Sequence, residues 1–525
     1  MKAVRASGVL LHPTSLPAPR GGDRSAQDVG SGDFGDSARQ FIDWLAAAGQ
    51  SLWQVLPFNP VGPGHSPYSS PSAHAGNPCL ISPAELARLG LLDSAVLAQE
   101  LSAHEVASGR IDFNASGRLR TRLLRLAAQR FISSRSEFET LHDEYRAWCD
   151  EQRAWLVDYA LFMALRMTHG EHCAWTDWPR ELRQRAPTAL AEATLTLAEE
   201  IEFWRFVQWS FARQWHAIRD YAHARGVRIV GDMPLYVAWD SVDVWAHPEL
   251  FELDGNLRPA VVAGVPPDYF SAQGQLWGNP LYRWSRHADT GYAWWLARLR
   301  SALRQADIVR IDHFRALESY WQVDAQASTA IDGRWMPGPG GGFFAALAGG
   351  LGAAPGGLPL IAEDLGTITP AVHALRVAAG LPGMRVLQFG FAADAQDLNL
   401  PHNLPEDCAV YTGTHDNDTT LGWYAQASPG ERDFVRTYLK SDGREIGWDL
   451  IHAASASSAR LAIYPLQDVL ALGSEARMNV PGVAERQWGW RFAWSQLHEW
   501  QTRRLRRISA VHGRNALDLG QELRA

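Results

Sequence analysis

Four acids stand directly after short apolar runs: Asp232 in "IVGD", Asp312 in "VRID", Glu363 in "IAED" and Asp416 in "TGTHD". Apolar runs without alternation suit strands buried on both faces, and a charge at the end of one marks where the strand emerges. A single acid in such a place is more often a helix cap or part of a local ion pair. Four together, with Arg310 and His415 beside two of them, point to a site. Convergent carboxylates without metal-ligand spacing suit glycoside chemistry, where one ionised acid serves as nucleophile or base and one protonated acid donates a proton. In "ADIVRIDHFR" Arg310 lies two residues before Asp312, so in a strand both side chains share a face. The guanidinium is expected to keep Asp312 ionised, as a nucleophile requires. Glu363 follows Leu360, Ile361 and Ala362, and an apolar surround favours the protonated form of a general acid.

Such a site needs elements that bring four strand ends together. Eight apolar runs recur, at 8–17, 51–60, 227–237, 307–314, 358–366, 383–391, 409–418 and 459–468. Helical patterns lie between many of them, such as "DSARQFIDWLAAAG" and "TPAVHALRVAAG". Eight strand–helix units predict an α/β protein, a (β/α)8 TIM barrel whose strand ends share one mouth. The uneven spacing places insertions. Residues 1–77 read as the first part of the barrel, 78–200 as a helical insertion, and 201–525 as the remainder, with a loop-rich insertion at about 239–298 over the mouth. The stripe Trp204, Val207, Phe211, Trp215 and Ile218 predicts a helix packed against the barrel.

Composition narrows the partners. The chain has 525 residues, 46% of them hydrophobic, and a net charge of -8, which argues against a nucleic-acid partner. The four cysteines lack CxxC spacing, so neither a structural zinc nor a disulfide framework is expected. The apolar run in "MKAVRASGVLLHPTSLP" is too short for a signal peptide and no segment approaches a membrane span, so the cytoplasm is the expected location. "HGEHC" has no second ligand pair, "DNDTT" lacks the glycine and glutamate of a calcium loop, and no nucleotide fingerprint is present; no metal or cofactor is expected. The 23 tryptophans are unusual, and several sit in polar, Gly- and Pro-rich text such as "LWGNPLYRW". Flat aromatic faces there suit sugar rings.

"RIDHFR", "IAEDLG" and "YTGTHDNDT" resemble the catalytic segments of the 4-α-glucanotransferases, also called amylomaltases or disproportionating enzymes. "LHPTSLP", "SPYSSPSAHAGNP", "GDMPLYVAWDSVDVW", "GVPPDYFSAQGQLWGNPLYRW" and "ARMNVPG" are similar to the same family, nearly end to end. The resemblance implies a barrel with subdomains inserted at its mouth and no C-terminal β-domain. It implies Asp312 as nucleophile, Glu363 as general acid/base and Asp416 as the acid that holds sugar hydroxyls and stabilises the transition state. Arg310 and His415 would be their immediate partners, Asp232 a structural acid nearby, and Tyr68 an aromatic before the scissile bond. Asp268 and Trp277, with Asn279 beside them, fall in the loop that covers substrate. The implied reaction moves α-1,4-glucan segments between maltodextrins, or to glucose, by a retaining double displacement, with the two carboxyls about 5–5.5 Å apart. The competing readings are a hydrolase of the α-amylase type and a silent glucan-binding protein.

Overall fold

Each of the eight apolar runs contributes one strand to a single parallel sheet. The structure, a computed structural model, describes all residues except 1–4, 22–27, 105, 107, 108, 171, 268–271, 355, 393, 484 and 515–525. In chain order the strands are β1 (Ala6–Leu10), β2 (Leu52–Gln54), β3 (Arg228–Met233), β4 (Val261–Val265), β5 (Gln275–Pro280), β6 (Ile308–Ile311), β7 (Ser319–Asp324), β8 (Arg334–Pro337), β9 (Leu360–Ala362), β10 (Gly383–Val386), β11 (Cys408–Tyr411) and β12 (Leu461–Pro465). The parallel sheet runs β10-β11-β12-β1-β2-β3-β6-β9. The Ala362 N–H donates to the Pro382 carbonyl at 2.9 Å, joining β9 to the head of β10 and closing the ring. Residues such as Val9, Trp53, Ile229, Ile361 and Ile463 are fully buried, which strands covered by helices on one side and barrel interior on the other require.

Between β2 and β3 the chain is mainly helical. Phe113–Ser133 starts on an Asp112 side chain that accepts from the Ala115 N–H, and both it and Arg153–His169 pack against Ala198–His223. The stripe predicted from Trp204 to Ile218 lies on this last helix, with Trp215 edge-on to Phe58 at 4.5 Å and to Trp53 of β2 at 6.3 Å. The helix packs on the barrel, as its periodicity requires. The expected boundary at 200 falls inside the helix, and a single apolar core runs from Leu123 and Phe131 of the insertion to the barrel strands.

Over the mouth the structure adds regular structure that the sequence reading leaves as loop. β5-β4-β7-β8 form an antiparallel sheet, and half of it comes from 319–337, after β6 rather than from 239–298. The glycine-rich stretch near 340 is a helix, Gly340–Leu351, that buries Phe343, Phe344 and Leu347. After β12 come loops, short helices and the helix Glu499–Val511. Among the described residues no helix is long and apolar enough to cross a membrane.

Candidate active site

Strand register sets the site. In the sheet Asp232 of β3 pairs with Arg310 of β6, and Ile311 pairs with Ala362 of β9. The next residues along, Asp312 and Glu363, therefore leave neighbouring strands at one level. Their backbones stay in the ladder: Asp312 N–H donates to Met233 O at 3.1 Å, and Glu363 N–H to Ile311 O at 3.0 Å.

Arg310 is the fixed charge. Its Nη1 donates to both oxygens of Asp232 (2.7 and 2.8 Å) and its Nη2 to Asp312 Oδ1 at 3.0 Å. Its Nε reaches Met384 Sδ of β10 at 3.3 Å. Burial opposes its charge, but Asp232 and Asp312 more than offset this and hold the guanidinium ionised. Asp232 also accepts from the Tyr68 hydroxyl at 2.5 Å, which anchors the ring of Tyr68 in the site.

The expectation that Arg310 keeps Asp312 ionised needs correction. Loss of water raises the Asp312 carboxyl to about 7 against the pull of Arg310, and Asp232 and Asp416 push the same way. Burial outweighs Arg310 because the guanidinium is shared, with its Nη1 given to both oxygens of the fully buried Asp232 carboxylate. Glu363 is raised further, to about 8, chiefly by loss of water, with Arg310 opposing and Asp312 adding to the rise. The two titrate as a pair. Asp312 keeps 30% of its side chain open to the mouth and has the guanidinium at 3.0 Å, so it ionises first and Glu363 keeps the proton.

Glu363 is aimed by the backbone. Its Oε2 accepts from the His313 N–H at 2.7 Å and its Oε1 from the Leu365 N–H at 2.9 Å. His313 adopts the left-handed conformation (φ 50°), which turns that N–H towards Glu363. Its ring meets Trp277 of the lid edge-on at 4.7 Å.

Asp416 and His415 arrive from the loop after β11. Asp416 accepts from Asn479 Nδ2 at 2.6 Å and lies 3.4 Å from His415 Nε2. His415 stacks on Tyr68 at 5.2 Å, and Trp488 flanks both rings. Burial lowers the His415 pKa, as it does that of His12 nearby, so both imidazoles are neutral at pH 7.

One cluster thus gathers Tyr68, Asp232, Arg310, Asp312, Glu363, His415 and Asp416. Trp277 joins it through His313, with 37% of its surface exposed in the cleft. Asn279 turns its amide to the Val237 carbonyl at 2.8 Å and ties the lid to the loop after β3. Asp268 lies outside the described residues. His402 is a surface residue bonded to the Tyr438 hydroxyl at 2.7 Å. The sequence reading gives no role to His313, Asn479, Arg477 or Trp488, although Arg477 and Asn479 stand in the family-like "ARMNVPG". Among the described residues no three His, Cys, Asp or Glu side chains are grouped to hold a metal ion.

A closed (β/α)8 barrel with two interacting carboxylic acids, one fixed arginine and an aromatic lid at its C-terminal mouth defines a glycoside-processing enzyme. The comparisons give the family. Residues 11–497 match the 4-alpha-glucanotransferase family, and the chain belongs to it. It is 47% identical over 517 residues to a 4-alpha-glucanotransferase of Thermus thermophilus, covering 97% of this chain and 99% of that one. It is 41% identical over 514 residues to the chloroplastic/amyloplastic 4-alpha-glucanotransferase of Arabidopsis thaliana, covering 97% and 86%. The solved amylomaltase of Streptococcus agalactiae, in complex with acarbose, superposes with a TM-score of 0.91 at 35% identity, covering 97% of this chain and 100% of that one.

Proposed function

We propose that the cluster performs α-1,4-glucan transfer with Asp312 as nucleophile and Glu363 as general acid/base. An Asp312 oxygen bonds to the anomeric carbon as the glycosidic C–O bond breaks, and the Glu363 proton goes to the departing 4-oxygen. The acceptor's 4-hydroxyl then gives its proton to Glu363 and bonds to the anomeric carbon, releasing Asp312. Asp416, oriented by Asn479, holds the hydroxyls of the reacting sugar. Tyr68 and His415 line the ring, and Arg310 with Asp232 fixes the base of the pocket. Donor and acceptor are maltodextrins, with glucose as the smallest acceptor. Residues 78–200 form the inserted helical part of one catalytic unit, and Asp268 and Trp277 bind substrate.

The observation that carries this reading is the pairing of Asp312 and Glu363 on adjacent strand ends, one beside a fixed guanidinium and the other clamped by two backbone N–H groups. Transfer outruns hydrolysis when the acceptor site holds sugar and excludes water. The lid edge at Trp277, packed on His313, favours transfer over the amylase-type reading. Incubation with maltotriose tests it: glucose together with maltodextrins longer than the substrate is expected. Glucose and maltose alone would establish a hydrolase.

A further inference from the structure

Asp416 sits on a nine-residue loop, Thr412–Thr420, whose hold on the barrel is unusual. Both shoulders are stitched to one carboxylate, that of Asp468, just after β12. Asp468 accepts from Thr412 Oγ1 at 2.5 Å, from the Thr420 N–H at 2.7 Å and from Thr420 Oγ1 at 2.8 Å. Its side chain is buried, with 1% of the residue exposed. A buried carboxylate is a costly way to close a turn. What it adds is several acceptor directions from one rigid group, so both ends of the loop are fixed to the same point.

The tip is gripped from the same segment. Arg477 Nη2 donates to the Asp416 carbonyl at 2.6 Å and its Nε to the Asn479 carbonyl at 2.7 Å. Asn479 in turn donates its side-chain amide to Asp416 Oδ1 and its N–H to the His415 carbonyl at 3.1 Å. Midway, Ser474 Oγ donates to Asp418 Oδ2 at 2.6 Å. The neck, flank and tip of the loop are therefore all fixed by residues 468–479. Arg477 touches no carboxylate of the site; it fixes main chain, which sets the angle at which the Asp416 side chain enters.

We propose that the segment after β12 is a positioning frame for Asp416, in which Asp468 closes the neck of the loop and Arg477 sets its tip. The frame rests on the reading of Asp416 above as the acid that holds the reacting sugar. Its chemical consequence is specific: loosening it displaces Asp416, with His415 beside it, relative to the anomeric carbon while Asp312 and Glu363, held by the strands, stay in place. A displacement of about 1 Å at a reacting centre costs roughly 10²-fold in rate.

The test compares Arg477→Ala, Arg477→Lys and Asp468→Asn in two backgrounds, the natural chain and Asp416→Asn, with α-maltosyl fluoride as donor and thermal unfolding alongside. In the natural background Arg477→Ala is expected to lower kcat roughly 10- to 10²-fold with little change in KM, and Arg477→Lys to recover most of it. In the Asp416→Asn background Arg477→Ala is expected to change the rate less than about twofold, because the group it positions is already gone. Unchanged kcat in Arg477→Ala, or an equal loss in both backgrounds, would overturn the frame while leaving Asp416's own role standing. Full activity in Asp416→Asn would overturn that role and the frame with it. Should Arg477→Ala not accumulate as folded protein, Asp468→Asn is judged by the same comparison.

Discussion

In the proposed mechanism Glu363 carries the proton that both halves of the reaction need, and its environment makes the consequences measurable. Glu363→Gln is expected to lower kcat with maltotriose by roughly 10²- to 10⁴-fold, the usual worth of a positioned acid/base, and far less with a donor whose leaving group needs no proton. Below the titration of Asp312 the nucleophile is lost, and above that of Glu363 the proton donor is lost. The profile of kcat/KM is therefore expected to be bell-shaped, with a basic limb near 8 that Glu363→Gln removes. The same shift bears on stability. The folded-state value, about 8, lies above the ordinary 4.5, so the contribution of this group is full below about 4.5 and is lost as pH rises through 8. The Tm advantage of Glu363→Gln over the parent is expected to grow across that window and then level off; an advantage independent of pH would contradict the account. At this scale the sequence revealed the residue types but not their coupling. Arg310 and Asp312 share a face as their spacing requires, yet only the fold shows that Asp232 takes Nη1 of the guanidinium with both of its oxygens and leaves Nη2 to Asp312.

At the scale of elements, the eight apolar runs were legible because a strand buried on both faces must be apolar throughout. The lid sheet was not. β5, "QLWGNP", reads as a turn through its Gly, Asn and Pro, and β7 and β8 have exposed residues that break any apolar run. The lid still has a testable job. Trp277→Ala is expected to raise the share of glucose released by hydrolysis relative to longer maltodextrins, measured on maltotriose, because water reaches the intermediate more easily. An unchanged product ratio would remove the lid from the account. Barrel closure makes its own demand at Gly8 of β1, where an added Cβ would come within 2.4 Å of the Leu52 Cβ of β2. Gly8→Ala is expected to destabilise by about 1–3 kcal/mol in denaturant unfolding. Gly349, on the exposed side of helix Gly340–Leu351, has nothing within 4 Å of that position. Gly349→Ala is expected to stabilise by about 0.5–1 kcal/mol.

At the scale of the whole molecule, function follows from barrel closure, which turns acids some 180 residues apart in sequence, Asp232 to Asp416, into one cluster. The sequence shows that the acids follow strands; the order of strands around the ring decides which acids meet. β6 and β9 are neighbours, so Asp312 and Glu363, the pair proposed to react, leave adjacent strands, while Asp416 arrives from β11, two places beyond β9 around the closed ring. The helical insertion joins the same apolar core, which is why its boundary cannot be read from composition alone. The most direct measurement is peptide mapping of Glu363→Gln after brief exposure to α-maltosyl fluoride, a donor that can load the enzyme without an acid. The account predicts a maltosyl group in ester linkage on Asp312. A maltosyl ester on Asp232 or Asp416, or turnover with no covalent adduct, would contradict it.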